Sequence, residues 1–60
     1  TPRQMTVLGM LAEGKPARTI AKELQLSETT VRNHIQAILS GFGCHSQLTA
    51  TAKARRLGLV

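Results

Sequence analysis

Three side chains near the middle of the chain have the chemistry to read the edge of a base pair. Arg32, Asn33 and Gln36 lie in the stretch S-E-T-T-V-R-N-H-I-Q-A-I-L-S-G-F, residues 27–42. Arg can bond guanine through two groups at once, and Asn or Gln can do the same to adenine. At about 100° per residue, these three share a helical arc with Thr29 and Ser40. Val31, Ile35, Ile38, Leu39 and Phe42 share the opposite arc, which is the pattern of an amphipathic helix with one buried stripe. The polar arc carries a single formal charge, Arg32. An ordinary solvated face is the competing reading. Such faces often pair Glu with Lys one turn apart, and no Glu–Lys pair of that kind occurs between Glu28 and Ser40.

Other candidate groups are weaker. Arg18 and Lys22 lie one helical turn apart and can meet phosphates, or simply be solvated. His34, Cys44 and His45 are too few and too poorly spaced for a metal site. Catalysis by Cys44 with a histidine lacks an acidic orienting residue and a Gly-rich substrate loop. No cofactor, no metal and no enzymatic activity are expected.

Composition narrows the partner. The chain has 60 residues and a formal charge of +5, from eight Lys and Arg against three acidic residues. That excess suits an anionic partner, either nucleic acid or an anionic membrane surface. One Phe, with no Trp or Tyr, argues against single-stranded nucleic acid, whose binding leans on aromatic stacking. Duplex DNA is the better match. No apolar run is long enough to span a bilayer, and nothing resembles a signal peptide. The single Cys44 excludes an internal disulfide and is consistent with a reducing cytoplasm. A domain of this size buries roughly 60% of its unfolded surface, so stability is expected to be modest. The abrupt start at Thr1 suggests that the chain was cut from a longer protein, and the whole of 1–60 is read as one small domain.

The elements that must position the base-reading face follow from local signals. Thr1 can cap a first helix, Pro2 suits its first position, and Gln4 can reach back to the cap. Val7, Leu8, Met10 and Leu11 share one arc of that helix, and Gly14 ends it. Pro16 sits where a second helix can begin, with Ile20, Ala21 and Leu24 spaced for burial. Gln25-Leu26 forms a tight turn. Ser27 caps the third helix, and Glu28 complements its dipole. Two short helices joined so tightly must cross steeply, as in a helix-turn-helix. Ala21 is small where they approach, opposite the β-branched Val31, with Ile20, Leu24 and Leu26 completing the contact. Gly41 and Gly43 end the third helix around Phe42, which can fold under as a core plug, and Cys44 reads as a small buried hydrophobe. Ser46 caps a fourth helix from Gln47 to about Leu57. It has two lightly apolar faces: Ala50, Ala54 and Leu57 on one, Leu48, Thr51 and Ala52 on the other. One can pack inward and the other meet a partner. Arg55-Arg56 can meet phosphates or be solvated, Gly58 ends the helix, and Leu59-Val60 can fold back.

These pieces together resemble the LuxR-type (FixJ- or GerE-type) helix-turn-helix domain over nearly the whole chain. The resemblance rests on joint spacing: Val7-Leu8 with Leu11-Ala12-Glu13-Gly14, Ile20-Ala21 with Leu24, and Ser27-Glu28 with Thr30-Val31 and His34. It continues through Ile38-Leu39, Gly43, Ala50 and Ala54-Arg55-Arg56-Leu57-Gly58-Leu59. It implies that residues 1–60 are an all-α, four-helix DNA-binding domain at the C-terminus of a longer bacterial transcription regulator, such as a two-component response regulator or a small-molecule sensor. In such domains the third helix enters the major groove and the fourth commonly makes a homodimer contact. The resemblance places Arg32, Asn33 and Gln36 on bases, and Arg18, Lys22, Thr29, Thr30 and His34 near the DNA backbone. With the fourth helix as the dimer contact, its second face, Leu48, Thr51 and Ala52 with Arg55, is the expected interface. RNA polymerase is a possible further partner, and the cytoplasm the expected location. Several positions depart from the family pattern. Gln4 stands where Glu is usual and Gln47 where Arg is usual. Ser40-Gly41 replaces commonly basic residues, and Lys15 takes a commonly apolar site, so it is read as a surface cation. Two rivals are the promoter-reading domain of a sigma factor and a helical protein-interaction module without specific DNA binding.

Overall fold

The computed structural model describes residues 2–60 and contains, among them, four helices and no strand: α1 Pro2–Ala12, α2 Ala17–Leu24, α3 Glu28–Phe42 and α4 Gln47–Arg56. The cap expected at Thr1 lies outside the described residues. Helix α3 is central and touches the other three; α1 also meets α2 and α4, while α2 and α4 do not meet.

The core forms where the apolar stripes converge. Val7, Leu8 and Leu11 of α1, Ile20 and Ala21 of α2, Val31, Ile35 and Ile38 of α3, and Ala50 and Ala54 of α4 are all buried. Met10, Leu24, Leu26, Leu39, Phe42 and Cys44 pack around them, partly covered. Phe42 therefore flanks the core rather than plugging it, and Cys44 is half-buried.

The helix ends explain the connections. Pro16 proves to be the cap of α2 rather than its first helical residue, with extended backbone and its carbonyl accepting from Ile20 N–H at 3.0 Å. At the other end Gln25 takes the left-handed conformation, φ 58° and ψ 42°, normally favoured by Gly. Leu26 N–H then donates to the Ala21 carbonyl at 2.9 Å, and the chain turns sharply into α3. Gly41 does not end α3, since the helix runs through Phe42. The break comes at Gly43, whose φ of 65° lets Cys44 N–H donate to Leu39 O at 2.9 Å.

Neither α1 nor α3 has a basic residue in its last turn. Helix α4 supplies both. Lys53 Nζ donates to the Phe42 carbonyl at 2.9 Å, and the Arg55 guanidinium donates to the Ala12 carbonyl. These cations satisfy terminal carbonyls and sit at the negative ends of two helix dipoles. They attach α4 to the first and third helices while its small Ala50 and Ala54 allow close approach.

Helix α4 corrects the expected division into faces. Ala50, Thr51 and Ala54 point inward, whereas Leu57 is 59% exposed. Thr51 is only 5% exposed, and its hydroxyl donates to the Leu48 carbonyl at 3.1 Å. Thr51 thus belongs to the core side and is not available at a dimer contact.

Candidate nucleic-acid interface

The start of α3 is fixed by its own first residues. Ser27 Oγ accepts from Thr30 N–H at 3.0 Å, as an N-cap should, and donates to Thr30 Oγ1 at 2.8 Å. With that oxygen already accepting, the Thr30 hydroxyl keeps its own hydrogen to donate elsewhere. Glu28 in the first turn adds an acid at the positive end of the helix.

With Val31, Ile35 and Ile38 turned into the core, the opposite side of α3 faces outward. Arg32, Asn33 and Gln36 are all exposed, as are Thr29 and Ser40. Thr30 and His34 are half-buried at the edges of that face. On α2, Arg18 and Lys22 are exposed and form no ion pair among the described residues. Gln36 and Ser40 also line a shallow depression with Leu39, Gly43, Cys44 and His45. His45, read above only as a weak metal candidate, therefore borders the far end of the polar face. No group of three or more His, Cys, Asp or Glu able to hold a metal occurs among the described residues.

The face differs from expectation at Arg32. Its Nε and Nη2 both donate to Glu28 Oε2, at 3.1 and 2.6 Å. An ion pair one turn apart does exist on this helix, formed by Arg rather than Lys. The Glu28–Arg32 spacing is legible in the sequence, since an arginine one turn on pairs with Glu as a lysine does. Lys15 is likewise engaged rather than a free surface cation. It bonds Glu23 at 2.9 Å and lies 3.4 Å from Glu13. The Glu23 carboxylate holds the Lys15 ammonium above its ordinary pKa against an opposing desolvation, with Glu13 assisting. All three acidic residues are thus engaged in ion pairs, Glu13 and Glu23 sharing the single charge of Lys15, while Arg18 and Lys22 remain available to an anion.

Among α4 residues, Leu48 is 78% exposed and Ala52 is exposed. Arg55 is exposed too, with its guanidinium directed to α1.

Comparison with known proteins is decisive on kinship. The family profile of bacterial regulatory proteins of the luxR family matches residues 1–54. The spore germination protein GerE of Bacillus subtilis is 36% identical over 58 residues, spanning 97% of this chain and 78% of that protein. The chain belongs to the luxR family of bacterial regulatory proteins. It is a helix-turn-helix DNA-binding domain of transcription regulation. The luxR-type fold is matched across 100% of the chain by the response regulator ChrA of a heme-sensing two-component system, with a TM-score of 0.94 and 32% identity. This chain spans only 30% of ChrA. The transcriptional regulatory protein DesR of Bacillus subtilis is 34% identical, over 97% of this chain and 29% of DesR. The luxR-type domain is thus a minor part of those longer regulators. No helix among its described residues is long and apolar enough to cross a membrane.

Proposed function

We propose that this domain binds duplex DNA sequence-specifically, with α3 in the major groove. The observation that carries the reading is the outward side of α3, where Arg32, Asn33 and Gln36 stand exposed on one face while the reverse side is locked into the core. Those side chains discriminate bases; Arg18, Lys22, Thr29, Thr30 and His34 set register and angle through phosphates. The residual charge excess draws the domain to DNA and makes binding salt-dependent.

Residues 1–60 serve as the C-terminal output domain of a longer cytoplasmic regulator; the small share of DesR and ChrA covered here supports the greater length. Leu48 and Ala52, with Arg55 at the margin, join two copies through α4. The paired domains read half-sites about one helical turn apart. RNA polymerase is the partner of the bound regulator when it activates.

Selection of bound duplexes from a random pool, followed by gel shifts with the best and a scrambled duplex, tests the reading. Arg32→Ala and Gln36→Ala should each cost about 1–3 kcal/mol of discrimination. Equal loss on both duplexes would refute base contact, and binding without any preference would favour a protein-interaction module.

A further inference from the structure

Glu28 and Arg32 lie one turn apart on the outward side of α3, with side chains 42% and 65% exposed. An exposed pair of this kind contributes little to stability. Its geometry matters more. Arginine carries five N–H donors in a planar fork. Glu28 Oε2 takes the Nε hydrogen and one hydrogen of Nη2. That contact occupies one edge of the guanidinium plane. The adjacent end edge, Nη1 and the second Nη2 hydrogen, stays open, and two parallel donors of this type match O6 and N7 of guanine.

We propose that Glu28 is the positioning residue for Arg32, holding the guanidinium by one edge so that the other is presented to a base. The inference rests on the reading of Arg32 as a base-contacting residue. An untethered arginine turns freely and reaches whichever phosphate is nearest. Tethered, it has already lost much of the side-chain freedom that binding would otherwise remove. The Glu28 carboxylate also repels the DNA backbone on every sequence, and only a well-placed base contact offsets that repulsion. Glu28 therefore lowers affinity for random DNA and widens the gap between correct and incorrect sites.

Three variants of the chain, Glu28→Gln, Glu28→Asp and Arg32→Ala, are compared on the selected duplex and on a scrambled one at fixed salt. Glu28→Gln removes the charge with little change of shape. It should tighten binding to scrambled DNA, and the ratio of the two affinities should fall about three- to tenfold. Glu28→Asp keeps an acid at the helix start but is one methylene short of Arg32. It should lower the ratio without tightening scrambled binding. The Arg32 Nε–H resonance reports the tether directly, and should exchange with solvent faster in both Glu28 variants. If Arg32→Ala lowers the ratio but neither Glu28 variant does, the positioning role is wrong and Arg32 remains a base reader. If Arg32→Ala leaves the ratio unchanged, the base-contact reading fails and the positioning role falls with it.

Discussion

Gln25 is a non-glycine residue of this domain in the left-handed region, at φ 58° and ψ 42°, and it sits in the turn that aims α3. Replacing it with Gly is the sharpest test of that turn. For an L-residue the left-handed conformation costs roughly 1–2 kcal/mol. Glycine relieves this, but its extra freedom in the unfolded chain takes back roughly 0.5–1 kcal/mol. Gln25→Gly should therefore stabilise the domain by about 0.5–1 kcal/mol, the difference of those two effects. In a domain of this size that corresponds to a rise in Tm of about 2–8 °C. The Leu26 N–H to Ala21 O bond that closes the turn is a backbone contact and survives the change. Affinity for the selected duplex should stay the same, because α3 keeps its pose. Gln25→Val is the counterpart: a β-branched residue fits this region worst and should lower Tm. Thermal melting and urea titration with unchanged m-value read both. A Gly variant that melts lower, or a Val variant that melts the same, would show that the turn does not hold Gln25 in this conformation.

Further expectations concern packing, DNA and pH. Ala21 of α2 is 6% exposed and shares the core cluster with the fully buried Val31 of α3. Ala21→Leu should cost about 1–3 kcal/mol by urea denaturation, and an unchanged midpoint would mean the two helices are not in close contact there. Lys22→Ala should weaken binding to all duplexes alike and reduce the slope of log K against log salt by about 0.9; an unaltered slope would remove Lys22 from the phosphate contacts. Lys15 has a raised pKa through Glu23 and Glu13. Its contribution is complete below the ordinary lysine value of 10.5 and is lost as pH rises through the higher folded value. Lys15→Met should flatten the fall of the urea midpoint in that alkaline range, and an identical fall in both proteins would contradict the bridge.

Much of this domain was legible residue by residue. The starts of α3 and α4 at Ser27 and Ser46, and the ends at Gly14, Gly43 and Gly58, depend on side chains and backbone preferences within one or two turns. The buried positions Val7, Leu8, Leu11, Ile20, Val31, Ile35 and Ile38 follow from helical periodicity alone. So does the exposure of Arg32, Asn33 and Gln36, because once one side of a helix is apolar its opposite side has no alternative. Tertiary structure decided what those local rules leave balanced. Helix α4 has two faces of similar weak hydrophobicity. Ala50, Thr51 and Ala54 form the inner one in the folded domain, where the helix is also attached through Lys53 to the end of α3 and through Arg55 to the end of α1. Those contacts join residues far apart in the chain, and no periodicity within one helix encodes them. The left-handed Gln25 has the same origin: its own preference opposes that conformation, and the burial of Ile20, Ala21 and Val31 against one another overrides it.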